Sequence, residues 1–334
     1  FWFDSVPSFG DFVGVTMFAR ARTVEYQVEL SIRLWFYLLF TLGVIMGSDF
    51  KVTLLGTGHP SPRLDRFGPS TLIEAAGHKI IFDCGRGTMQ RAYQVHKETQ
   101  DFDKLFITHL HSDHTTGIPD LWITGTIMGR HDKPLRIWGP RGTKSMAANL
   151  EKAFAVDLKV RRMGEQRYGL DHEKGVRIEA ADVDEGFVYE EDGLSVEPFR
   201  VNHFDHFCDE PSFGYRVKYD GRSVVLSGDT CFCENLIMYS SGVDLLVHEV
   251  AAAPLGVDLS NDVRYFLSLH TQPEECGRVF QRVNPGLAVY YHVLQFLGVS
   301  LEEVMDRTRR EYVGPLVFGE DLMRIEVGDS VKII

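Results

Sequence analysis

Residues 108–114 read Thr-His-Leu-His-Ser-Asp-His, so three imidazoles and a carboxylate crowd into six positions directly after the apolar run Leu105-Phe106-Ile107. Imidazole and carboxylate are the side chains that hold zinc and its first-row neighbours. His109 and His111 stand two apart and can face the same way on an extended loop; Asp113 and His114 fall past the bend and can face a second ion. The cluster implies two adjacent metals, each needing ligands from elsewhere in the chain. A polar surface turn is the competing reading, but few structural roles call for so many metal-type polar side chains together.

Three further runs supply the missing ligands. Residues 195–202 read as a strand ending at His203, 223–228 run apolar into Asp229, and 287–291 run into His292. Strand ends converging along one sheet edge would gather His109, His111, Asp113, His114, His203, Asp229 and His292 around one pocket, with Asp229 able to bridge both ions. Five histidines and two carboxylates suffice for two sites that keep a position open for water. The elements that must position them alternate without a repeat. Residues 50–55 read as a first strand, and 71–76 with 78–83 as a hairpin around Gly77. Residues 87–94, 118–128, 143–154, 273–283 and 301–312 read as helices, 177–201 and 213–226 as β-rich, and 245–247 as a strand. No Pro/Gly/Ser linker divides the series, which predicts one catalytic domain over 49–334. Periodicity alone gives only mixed α and β.

Composition sets outer bounds. The 334 residues are 44% hydrophobic and 25% charged, ordinary for a soluble globular chain. The net charge is −12 and no Lys/Arg run stands out, which argues against a broad phosphate-gripping face. Arg161-Arg162 and Arg309-Arg310 read as solvated charges. The five cysteines form an odd set without disulfide-framework spacing and read mostly as thiols in a reducing compartment. Cys231 and Cys233, close to Asp229, read as packing at a helix start rather than as zinc ligands. Residues 1–48 read as an N-terminal extension. Its apolar stretch, 34–46, is shorter than the roughly twenty residues of a membrane helix. Met46 reads as the biological start, which gives a cytoplasmic protein; a signal or anchor, and hence export, is the alternative.

Over about residues 50–334 the chain resembles the metallo-β-lactamase-fold hydrolases, and within them the ribonuclease Z and arylsulfatase-like branch. His-x-His-x-Asp-His at 109–114 carries the broad resemblance. Narrower likeness lies in Gly56-Thr57-Gly58, Phe82-Asp83-Cys84-Gly85, Ser227-Gly228-Asp229-Thr230, Val247-His248-Glu249, His270-Thr271-Gln272-Pro273-Glu274-Glu275 and residues 211–216. Residues 65–70, 121–125 and 138–143 lean toward the arylsulfatase-like group. The resemblance implies an α+β fold, a four-layer αβ/βα sandwich with two metals at one edge of its two sheets. It implies His109, His111 and His203 on one ion, Asp113, His114 and His292 on the other, and Asp229 between them. Zinc is the metal expected; Mn2+ or Fe2+ suits the same ligands. A metal-bridging water that loses its proton near neutral pH would be the nucleophile. Asp113 would orient it, and Glu249 and His270 would serve proton transfer, with Glu249 alternatively an acceptor for a ligand histidine. Asp83 and His248 would stand behind the ligands, His248 packing or hydrogen-bonding near the sheet edge rather than binding metal. Residues 251–268 read as a long connection that either closes over substrate, with Tyr265 and Phe266 as contacts, or packs on the domain as a helix; His206 reads as an exposed, solvated histidine or one lining the mouth.

The function expected is hydrolysis of a small ester, an aryl sulfate or phosphodiester, by a chain that could form a homodimer. The alternative is a ribonuclease Z-type tRNA 3'-end endonuclease. Against it stand the acidic balance, the lack of a basic RNA-gripping arm, and the continuation Val293-Leu294-Gln295 after His292. An iron-dependent oxidoreductase on the same fold is a further alternative, disfavoured because no flavin-binding domain fits in the chain. A non-catalytic binding protein is disfavoured because no ligand is missing from the set.

Overall fold

Along the strands, neighbouring apolar residues face opposite ways: Val224 and Leu226 enter one core layer while Val225, between them, enters another. The same alternation separates Leu54 from Leu55 and Ile73 from Leu72. A strand apolar on both faces must be covered on both, which demands layers on either side of each sheet. The computed structural model describes residues 48–204 and 207–334. The stretch 34–46, Met46 and His206 lie outside the described residues.

Fifteen strands form two mixed sheets among the described residues. The first contains β1 (Lys51–Gly56), β2 (Ser70–Ala75), β3 (His78–Phe82), β4 (Lys104–Phe106), β5 (Leu135–Gly139), β6 (Ile178–Asp182), β14 (Arg324–Val327) and β15 (Val331–Ile333), in the order β15-β14-β1-β2-β3-β4-β5-β6. The second contains β7 (Tyr189–Glu191), β8 (Leu194–Val201), β9 (Ser212–Tyr219), β10 (Arg222–Leu226), β11 (Leu245–Ala252), β12 (Leu287–Gln295) and β13 (Leu316–Phe318), in the order β13-β12-β11-β10-β9-β8-β7. Phe50, Phe82, Phe106, Phe213, Tyr215 and Val247 pack between the sheets. Outside the first sheet lie α1 (Thr88–Val95), α3 (Ile118–Ile127) and α4 (Thr143–Ala153); the short α2 (Ser112–Thr115) precedes α3. Outside the second lie α6 (Glu234–Tyr239), α8 (Pro273–Val283) and α9 (Leu301–Arg309). The arrangement is the four-layer αβ/βα sandwich expected.

Differences from the sequence reading have local causes. A helix α5 (Ala155–Arg167) continues past residue 154 and has no buried residue, so it leaves no apolar stripe to read. Within 251–268 the packed-helix alternative is the one present: β11 runs on to Ala252, and α7 (Asn261–Ser268) is capped by Ser260, whose side chain accepts from Val263 N. Only 253–260 loops. His292 does not follow a strand end. It lies inside β12, where Glu249 of β11 faces both Tyr291 and His292 across a bulge, and its φ is 46°. Among the described residues no helix is long and apolar enough to cross a membrane, and no cysteine forms a disulfide.

Candidate metal centre

His109, His203 and Asp229 each follow the end of a strand, β4, β8 and β10, and the bulge in β12 turns His292 toward them. Sharp turns make this convergence possible. Gly228 has φ +60°, and a Cβ there would stand 2.4 Å from Phe213 O, so only glycine lets the chain turn from β10 into Asp229. Asp83 is also held in the left-handed region, φ 57°, fixed by its N–H to Phe106 O (2.8 Å) and by Thr108 N donating to its Oδ1 (2.8 Å). Strain of this kind persists only where the surroundings over-determine it.

The ligand atoms of His109, His111, His203 and Asp229 lie within 4.8 Å of one another, as do those of Asp113, His114 and His292. Asp229 stands between the groups: its Oδ2 is 3.8 Å from His109 Nε2, 3.4 Å from His114 Nε2 and 3.5 Å from His292 Nε2. The outer nitrogens of three rings are occupied. His109 Nδ1–H meets Thr108 Oγ1 at 3.0 Å, and that hydroxyl donates on to Asp83 at 2.9 Å. His114 Nδ1–H donates to Asp83 Oδ2 at 2.8 Å, and His203 Nδ1–H to Leu269 O at 2.9 Å. The inner Nε2 atoms are therefore left with lone pairs, the tautomer that ligates metal.

These inner atoms crowd without satisfying one another. His109 Nε2 and His203 Nε2 approach the same His111 Nδ1 at 3.0 and 3.3 Å, so three ring nitrogens share at most one proton. Asp229 Oδ1, His114 Nε2 and His292 Nδ1 are buried without a hydrogen bond. Buried polar atoms are costly when unpaired. A divalent cation in each group would answer this, so the residues fit the metals that the motif implies.

Protonation favours neutral His109 and His203 and ionised carboxylates, while the carboxylates draw positive charge onto His114, the charge a bound cation would take over. Burial drives His109 well below the ordinary histidine value, reinforced by neighbouring His114, and lowers His203 to about 4. Burial would also lower His114, but Asp229, Asp83 and Asp113 together raise it. Burial would raise Asp113; His114 and His292 outweigh it and hold the carboxyl at about 2. For Asp229, too, burial is overcome, by His292, His114 and His109, and its value falls well below the usual range.

With this geometry in hand, comparison with known proteins gives a direct result: the sequence model described as Beta-lactamase superfamily domain matches residues 78–293. The chain belongs to the metallo-β-lactamase superfamily. It is 34% identical over 285 residues to a protein named ribonuclease Z from Mycobacterium bovis, covering 83% of this chain and 98% of that one. Two solved structures share the superfamily fold. The metallo-beta-lactamase fold protein YhfI from Bacillus subtilis is 17% identical with a TM-score of 0.63, over 84% of this chain and 99% of that one. The short form of human tRNase Z is 21% identical with a TM-score of 0.59, over 83% and 99%.

Beside the ligand groups of this superfamily member stands His270, whose Nδ1 lies 3.3 Å from Glu249 Oε1 without the alignment of a hydrogen bond. Burial opposes a proton on His270, and Glu249 more than restores it, so its value is raised. Glu249 Oε1 also accepts Thr271 N (2.9 Å) and Thr230 N (3.3 Å). The His-Thr-Gln-Pro-Glu-Glu motif is the entry to α8: Gln272 caps it in a reciprocal box with Glu275, and Pro273 takes the first helical position. That rigid start holds His270. His270 could itself ligate, since with Asp229 and His292 it forms a third group of close ligand atoms.

His248 takes the packing and hydrogen-bonding role read for it from the sequence. Alternation along β11 puts Glu249 toward the ligand basin and His248 on the other face, where its Nδ1–H meets Glu249 O and its ring meets Phe280, 5.6 Å away. It does not stand behind the ligands. Cys233 is the buried residue that starts α6. Tyr265 and Phe266 lie on α7, half-exposed. Three residues near the centre escaped the sequence reading. His59, after the Gly-Thr-Gly turn, has its value lowered to about 4 by burial and then by His292. Phe204 stacks its ring edge-on against His111 at 4.9 Å, with Phe207 beyond it. A lone histidine after a turn carries no sequence signal; the two phenylalanines right after His203 did.

Proposed function

We propose that this superfamily member is a metal-dependent phosphodiesterase that processes tRNA at its 3' end in the manner of ribonuclease Z. The observation that carries the reading is 34% identity sustained over 98% of the mycobacterial ribonuclease Z, too long a match to reflect the fold alone. The relatives thereby favour the phosphodiester over the aryl sulfate expected from the sequence, for which they offer no support. The physical objection was the charge of −12. It has a local answer: α5 carries Lys159, Arg161, Arg162 and Arg167 against Asp157 and Glu165, and none of its residues is buried. A cationic strip open to solvent can meet phosphates whatever the total charge.

His109, His111 and His203 would hold one divalent ion, and Asp113, His114 and His292 the other, with Asp229 reaching both. Zinc suits the set, and manganese or iron is chemically admissible. Such ions supply Lewis acidity and an activated water when bound. Asp113, ionised and 3.2 Å from His292 Nε2, offers an acceptor that can orient a water. His270, backed by Glu249, can hand a proton to a departing ribose oxygen. Asp83 fixes the ligand rings through His114 and Thr108.

The test is to incubate zinc-loaded full-length chain with a tRNA precursor carrying a 3' trailer, alongside a nitrophenyl sulfate and a bis-nitrophenyl phosphate. One cut near the end of the acceptor stem is the expected result, with turnover of the phosphodiester. Turnover of the sulfate beside intact RNA would return the small-ester reading.

A further inference from the structure

Five aromatic rings run in file outward from the ligand histidines. Phe204 starts it, 4.5 Å from His203 and 4.9 Å from His111 between ring centres. Phe207 follows at 5.9 Å, Tyr265 at 6.3 Å, Phe266 at 5.5 Å and Phe296 at 5.8 Å. Three separate pieces of chain build it: Phe204 and Phe207 after β8, Tyr265 and Phe266 on α7, and Phe296 just past β12. Its middle is open: Phe207 is 55% exposed, Tyr265 51% and Phe266 41%. Exposed apolar side chains scattered singly need no explanation, but a contiguous set marks a surface that binds something. This set is continuous with the ligand basin.

Whatever occupies it is therefore joined to the group held at the basin. Under the ribonuclease Z reading, on which this inference rests, that group is the scissile phosphate. We propose that Phe204, Phe207 and Tyr265 form a stacking shelf for the nucleobase that adjoins it. Rings fit this task better than hydrogen-bonding groups, because every base has a π-face and a shelf of aromatics accepts any of them. Rings from two chain segments, with Phe207 turned 64° from Phe204 and 44° from Tyr265, offer separate faces along one line. That line sets the direction in which the strand leaves the basin, which places the phosphate and not a neighbouring bond at the ligands. Phe204, in contact with the histidines, fixes the inner end of the shelf; Phe207 and Tyr265 carry the face that meets solvent.

The experiment uses zinc-loaded full-length chain with Phe207→Ala, Tyr265→Ala and the pair combined, on a tRNA precursor and on matched precursors made abasic at either nucleotide flanking the cut. Stacking on aromatic side chains predicts a loss of roughly 5- to 100-fold in kcat/KM for the double variant on intact RNA. The loss should lie mainly in KM, vanish on one of the two abasic precursors, and be restored by Phe207→Trp, with metal content unchanged. An equal loss on intact and both abasic RNAs would overturn the shelf. A second measurement separates the shelf from the reading beneath it: calorimetric titration with adenosine monophosphate and with ribose 5-phosphate. If no precursor is cut, the ribonuclease Z reading fails. The shelf then stands if adenosine monophosphate binds more tightly than the sugar phosphate and the double variant abolishes the difference, and it falls if the wild-type chain shows no such preference.

Discussion

The ligand basin and the aromatic file beside it are built in opposite ways. In the basin, outer nitrogens are tied to Asp83, Thr108 and Leu269 O, two residues are held at positive φ, and almost everything is buried. The file rests at its outer end on α7, whose apolar support is a small group of its own, Ala251, Ala253, Leu267 and Leu294 with Leu259, Val263 and Phe296, apart from the three larger cores. Its middle rings, Phe207, Tyr265 and Phe266, face solvent. The contrast follows from the tasks. Metal ligands must be placed to within fractions of an ångström before substrate arrives, whereas stacking rings need only exposed faces and position. In the proposed reading the buried region sets the chemistry and the exposed one the path of the strand.

The sharpest way to break the comparison is Asp229→Ala, which removes the carboxylate shared by both groups. Elemental analysis should show both ions lost and activity at background; retention of one ion with full activity would take Asp229 out of the shared position. Next in size is His270→Ala. A proton donor of this kind contributes roughly 10²- to 10⁴-fold, so kcat on RNA should fall by that factor and far less on a nitrophenyl ester, whose leaving group departs without a proton. An equal loss on both, or loss of metal, would move His270 among the ligands.

Asp83→Ala should weaken zinc binding by about 10- to 100-fold, the usual cost of losing a partner behind ligand histidines. Competition against a chromophoric chelator measures it, and unchanged affinity would mean the rings are held by packing alone. The smallest effect belongs to the file: Phe207→Ala and Tyr265→Ala should each change unfolding stability by less than about 0.5 kcal/mol, as exposed positions do. Urea titration checks this, and a larger loss would make the rings structural.

What was legible in the sequence was what is local in the chain. His-x-His-x-Asp-His announces itself because six adjacent residues carry the chemistry, and the helix over 273–283 is likewise marked by residues close in the chain. What needed the fold was settled by distant partners. His59 follows a turn anchored by Asp321, which accepts from Thr57 N, Thr57 Oγ1 and Phe67 N across more than two hundred residues. His248 and Glu249 are adjacent and both polar, and only the register of β11 decides which faces the ligands. His292 looked like a residue beyond a strand because a bulge exists only between two strands, never in one. α5 was invisible for want of a buried face.

The two-ion assignment itself is tested most directly by anomalous X-ray scattering at the zinc edge, on crystals of the full-length chain grown with zinc. Two peaks are expected, one among His109, His111 and His203 and one among Asp113, His114 and His292, with Asp229 between them. A single peak, or peaks placed away from these residues, would contradict it.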